Sequence, residues 1–187
     1  MPLHRIAGNT LNLRGACPLF NSMCTVDYTV RLPRNTSVKV DSSGGDVLVS
    51  HLDGDIRLSS SGGDIRVSET TRRLQLFSSG GDIRAELVRS SDVTASSSGG
   101  GVRLSFVSAP MKVDASSSGG DVRVEVPRDA AAYAVDASSS GGDTRVKVKT
   151  DPQSKHRVKL RSSGGGVTAD YTSADRDTRQ ANQNKGN

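Results

Sequence analysis

Ser61-Gly62-Gly63-Asp64-Ile65-Arg66-Val67 is the stretch on which the fold turns. A small polar residue and two glycines make a corner. After it, charged and aliphatic residues alternate with the period of two that puts successive side chains on opposite faces of a strand. The string Ser-Ser-Gly-Gly recurs seven times, followed in turn by Asp46, Asp64, Asp82, Gly101, Asp121, Asp143 and Gly166. The intervals are 18, 18, 19, 20, 22 and 23 residues. A half-copy, Gly54-Asp55-Ile56-Arg57-Leu58, lies midway between the first two. The spacing predicts a unit of about nine residues, one strand and one turn, with two units to a coil.

Working outward, a second alternating strand precedes each Ser-Gly run: Val38-Lys39-Val40, Leu74-Gln75-Leu76, Val113-Asp114-Ala115, Val135-Asp136-Ala137 and Val158-Lys159-Leu160. The strands after the glycines place Ile65, Val67, Val122, Val124, Val126, Val146 and Val148 on one face. The expected fold class is all-β: a β-solenoid of about seven two-strand coils, right-handed by the general crossover preference. An antiparallel meander is the competing fold. It gives no reason for the same turn and the same following strand to recur at every second strand. The corner glycines are expected to supply positive φ. Later repeats lengthen on one edge only, at Ser105 to Met111, Pro127 to Ala134 and Thr150 to Arg157, as a stack of coils that touch only their neighbours allows.

Three regions follow. Residues 1–24 lack the repeat and read as an N-terminal cap segment with Leu11, Leu13, Leu19 and Phe20. Residues 25–171 form the repeat domain, with Met23 to Leu32 as its entry strand. Residues 172–187 are almost devoid of apolar side chains and read as a disordered polar tail. Three Phe, three Tyr and no Trp leave little for a conventional core, so stacked Val and Ile must supply it. Cys17 and Cys24 precede the repeats and could pair or stay as thiols. The sequence shows no apolar run of membrane-spanning length and no signal peptide, which makes a cytoplasmic location the expectation.

These residues carry a resemblance. The lead-in Val26-Asp27-Tyr28-Thr29-Val30-Arg31-Leu32-Pro33, then Ser37 to Val47, then the serial Ser-Gly-Asp-(Val/Ile)-Arg-Val units, resemble a bacterial family labelled as adhesins, with a β-strand-repeat-containing domain of unknown function. The resemblance spans Val26 to Tyr171. It implies a β-helical, non-enzymatic domain of a kind often tied to the cell envelope or its stress response. Gly101 and Gly166 depart from it, standing where Asp is usual.

Two columns of residues are candidate site features. Arg57, Arg66, Arg84, Arg103, Arg123 and Arg145 occupy the outward position of their units and form a candidate anion-binding ladder. Like charges about 4.8 Å apart repel by roughly 1 kcal/mol in water, so something must offset them. Asp46, Asp64, Asp82, Asp121 and Asp143 form a turn ladder, with most of them two residues before an arginine. A solubilising, self-compensating charged face is the plainer reading of both. The other is a linear site for an anionic envelope polymer or lipid surface. The near-absence of aromatic residues disfavours nucleic acid. Calcium is disfavoured because the second spaced glycine of calcium-binding β-rolls is missing. His4, His51 and His156 are scattered, and no nucleophile elbow, phosphate loop or zinc motif appears, so no catalytic residue, metal or cofactor is expected. A polysaccharide-acting enzyme is the runner-up, with a pocket near Arg128 to Ala134 or Pro152 to His156. A purely cytosolic structural protein, or self-association through the solenoid ends, are further alternatives.

Overall fold

The computed structural model describes residues 2–7, 10–15, 26–128 and 132–172. The chain divides into two units, Met1–Leu32 and Pro33–Asn187. In the first, β1 (Pro2–Ala7) and β2 (Thr10–Gly15) pair as an antiparallel hairpin. Residues 26–33 carry no strand, which corrects the entry strand expected up to Leu32. The alternation there is real, but Tyr28, Val30 and Leu32 remain exposed. Cys17, Cys24 and the tail from residue 173 lie outside the described residues.

The second unit is the solenoid. Its strands are β3 (Val38–Ser42), β4 (Val47–Leu52), β5 (Ile56–Ser60), β6 (Ile65–Thr70), β7 (Leu74–Ser78), β8 (Ile83–Val88), β9 (Asp92–Ser97), β10 (Val102–Phe106), β11 (Lys112–Ser117), β12 (Val122–Val126), β13 (Ala134–Ser139), β14 (Thr144–Val146), β15 (Arg157–Ser162) and β16 (Val167–Tyr171). All pair in parallel. One sheet runs β3-β5-β7-β9-β11-β15-β13 and the other β4-β6-β8-β10-β12-β16-β14. Ile56, Leu58, Leu74, Leu76, Ile83 and Leu104 point between the sheets and are fully or almost fully buried. Each such side chain stabilises the stack by roughly 1.5–3 kcal/mol.

The corners explain the Ser-Gly string. The Oγ atoms of Ser60, Ser78, Ser97, Ser117, Ser162 and Ser139 each accept the amide of the glycine three residues on, at 2.8–3.0 Å. Each also donates to a glycine carbonyl of the adjacent coil, at 2.7–3.5 Å. The glycines are not there for positive φ, contrary to the expectation: none has a left-handed φ. They are required by close approach. A Cβ on Gly63, Gly81, Gly100, Gly120 or Gly165 would collide with backbone of the neighbouring corner. The left-handed residues are instead His51 (φ 58°), Glu69 (φ 53°) and Leu87 (φ 52°). They sit at one position of β4, β6 and β8, an extra residue that β10 lacks, and the β8–β10 register shifts there. This is a stacked β-bulge.

The coils do not stack in chain order. After β11 and β12 the chain skips a layer, lays down β13 and β14 at the end of the stack, then returns to insert β15 and β16 between. The long connections 127–133 and 147–156 make that crossing, which accounts for the intervals of 22 and 23 residues. Burial explains the order. Leu160 and Val167 are fully buried in the inserted coil, and Tyr171 is 9% exposed. The end coil carries Ala137 where the inserted coil has Leu160 and Thr144 where it has Val167, and its inward Val146 is 40% exposed. Placing the less apolar coil at the open end exposes less hydrocarbon. The strand expected to run on to Val148 stops at Val146, because the chain turns away for its return.

Two outcomes test this packing in urea denaturation. Gly81→Ala is expected to cost about 2–4 kcal/mol through collision with the next corner. Gly44→Ala, whose Cβ would meet nothing within 4 Å, should stay within about 0.5 kcal/mol of the parent. Equal costs for the two would refute close approach as the reason for glycine. Leu87→Gly, at a half-exposed left-handed position, should raise stability by about 0.5–1 kcal/mol, the relief of backbone strain less glycine's entropy. A lowered midpoint would mean that the Leu87 side chain contributes more than its backbone costs.

Candidate functional site

The parallel register decides which arginines meet. Arg66 lies opposite Arg84, Arg84 opposite Arg103 and Arg103 opposite Arg123, on the outer face of the second sheet. Beyond Arg123 the row continues through Thr168 to Arg145. Arg57 does not belong to it. It sits on β5 in the other sheet, between Lys39 and Gln75, where it donates to Gln75 Oε1 at 3.1 Å and lies 4.8 Å from the Phe77 ring. The half-copy that contains Arg57 resembles the other units but falls half a coil out of phase with them.

The offsetting charges are close by. Arg66 pairs with Asp46 at 3.2 Å and Asp64 at 2.7 Å, and Arg145 with Asp143 at 2.8 Å. Where a glutamate follows two residues later, the arginine takes that one instead: Arg84 with Glu86 at 2.6 Å and Arg123 with Glu125 at 2.8 Å. Strand alternation already places Glu86 and Glu125 on the arginine face. A search for acids on that face would have found them. Arg103 differs from its neighbours. The positions two residues away on either side are Gly101 and Ser105, and its exposed guanidinium has no ion pair among the described residues.

The aspartates do a second job. Asp64 N–H donates to Asp46 Oδ1 at 2.9 Å, Asp82 N–H to Asp64 Oδ1 at 2.9 Å, Gly101 N–H to Asp82 Oδ1 at 2.7 Å, and Gly166 N–H to Asp121 Oδ1 at 2.7 Å. Each carboxylate therefore ties its corner to the next coil. Asp143, in the end coil, has no further coil to tie to among the described residues.

A shallow groove of about 310 Å³ follows the row, lined by Arg66, Arg84, Arg103 and Arg123 together with Asp64, Asp82 and Asp121. The edge connections, the expected places for an enzyme pocket, are used in packing. The Tyr133 hydroxyl donates to Pro127 O at 2.7 Å and the ring is fully buried. His156 Nδ1 bonds Pro110 O at 2.8 Å, and its ring meets Tyr133 edge-on with centroids 5.8 Å apart. Tyr171 accepts the Lys149 amide at 2.9 Å while the Arg128 guanidinium lies over its ring. These contacts hold the chain crossing in place. His51 pairs with Glu69 at 2.9 Å on the bulge.

No curated protein and no solved structure matches the chain. The family model of Toastrack DUF4097, a β-repeat domain of unknown function, matches residues 9–187. The parallel solenoid strands between Val38 and Tyr171 and their recurring corner lie within the matched stretch. The chain belongs to the Toastrack DUF4097 family.

Proposed function

We propose that this domain is a non-catalytic binding module that lays an acidic polymer along its arginine face, as an adhesin-like or scaffolding surface at the cell envelope. The observation that carries the reading is the register of Arg66, Arg84, Arg103 and Arg123 along one groove. Four guanidiniums at the strand spacing of about 4.8 Å present forked donors in a line. The face is rigid, so a ligand that binds it orders little of the protein. An acidic polysaccharide fits better than a nucleic acid, because the groove offers no ring for a base to stack on. The formal charge of +5 adds a general attraction for anions.

The test compares binding to polygalacturonate, anionic lipid vesicles and single-stranded DNA at low and physiological salt. Polygalacturonate is expected to bind best and to weaken as salt screens the row. A variant carrying Arg66→Ala, Arg84→Ala and Arg123→Ala should lose about tenfold in affinity, since exposed charge contacts contribute a fraction of a kcal/mol each. Binding that the variant retains in full would leave the row as a solubilising face. Preference for DNA would overturn the ligand class.

A further inference from the structure

The aspartate row is interrupted at Gly101, and the interruption has a shape. In the coil of Asp64, the carboxylate at this corner performs two tasks. It accepts the amide of the equivalent residue in the next coil, as Asp64 accepts Asp82 N–H. It also pairs with the arginine two residues on, as Asp64 pairs with Arg66. At Gly101 there is no carboxylate, and both of the groups it would have served are left without one. Among the described residues, the Asp121 N–H has no acceptor and the Arg103 guanidinium has no ion pair, Gly101 and Ser105 being the residues two positions away on its own strand. Asp121 and Arg103 line the same groove as Gly101 itself.

We propose that the gap at Gly101 is a binding site for one carboxylate of an acidic ligand, held by the Asp121 amide and the Arg103 guanidinium. The site has the donor set of an aspartate pocket whose aspartate has been removed. A Cβ at residue 101 would lie 3.2 Å from Asp121 O, 3.8 Å from Asp121 N and 3.8 Å from Asp82 Oδ1, so a side chain or ligand group at the gap meets the Asp121 amide at van der Waals distance. A carboxylate suits it, because the guanidinium fork and a single amide can serve its two oxygens together. Arg84 and Arg123, one coil away on either side, add positive potential. Asp82 and Asp121 oppose it, but the Oδ1 atom of each is engaged by a corner amide, Gly101 N–H and Gly166 N–H respectively.

The molecule contains its own control. Gly166 interrupts the same row and leaves the Asp143 amide without an acceptor among the described residues, but the residue two positions on is Thr168. That gap has the amide without the arginine.

The inference rests on the acidic-polymer reading and deepens it, and the following experiment separates the two. Gly101→Asp supplies the missing carboxylate from the chain itself, removing no arginine. Gly166→Asp adds the same charge at the control gap. Amide chemical shifts are followed by NMR while polygalacturonate, its neutral methyl ester, or inorganic phosphate is added to the full chain. In the parent, polygalacturonate should move the Asp121 amide proton downfield to saturation and leave Asp143 unmoved. Gly101→Asp should show the moved Asp121 position without ligand and bind the polymer about tenfold more weakly, the loss of one charge-assisted contact. Gly166→Asp should bind like the parent, and Arg103→Gln should bind like Gly101→Asp. If Gly101→Asp and Gly166→Asp weaken binding equally, the effect is general charge, and the gap is not a site while the row reading stands. If the polymer binds the parent without moving Asp121, the gap is likewise refuted. Phosphate moving Asp121 more strongly than the polymer would overturn the carboxylate class. No binding to the parent would overturn both readings.

Discussion

Close approach at the glycine corner is the constraint from which the rest follows. Each coil sits one strand spacing from the next, about 4.8 Å, and at the corner that spacing leaves no volume for a side chain on the inner glycine. The serine three residues before it completes the joint. Its hydroxyl accepts within its own coil and donates into the adjacent one, so a buried polar atom is satisfied from both sides. Because the six corners from Ser60 onward share this joint, the strands leave them in the same register. The inward Val, Ile and Leu therefore stack on one another, and the outward charges fall into rows.

Those rows follow from the joint as well. A fixed register brings arginines side by side whether or not that is favourable. The chain offsets the repulsion with acids two residues away on one side or the other, and which acid is used varies from coil to coil. Arg66 and Arg145 use the corner aspartate, while Arg84 and Arg123 use a glutamate further along the strand. Charge on this face is thus balanced coil by coil, with Arg103 as the exception. An exception in a regular array is informative because its neighbours show what the missing group would have done.

Much of this was legible in the sequence. The period of Ser-Ser-Gly-Gly gave the strands, the corner and the parallel stack, since a repeat that fixes one joint fixes all of them. The outward position of Arg66, Arg84, Arg103 and Arg123 followed from alternation alone. The phase of Arg57 was not legible, because its half-copy shares the Gly-Asp-Ile-Arg pattern while belonging to the opposite sheet. The left-handed positions were hidden too. His51, Glu69 and Leu87 have no residue type in common, and only the extra residue in their strands betrays a bulge.

By itself, then, the sequence determined the local rules: where the chain turns, which side chains face inward, and which charges share a face. These depend on steric and alternation effects within a few residues. The order of the last two coils was decided by tertiary structure alone. β13 and β15 carry the same joint, β15 docking on β11 and β13 on β15 in the equivalent register, so nothing local distinguishes them. Burial of Leu160, Val167 and Tyr171 in preference to the smaller side chains of the end coil selects the inserted order. The two long connections, their lengths set by the layer they must cross, make that order reachable.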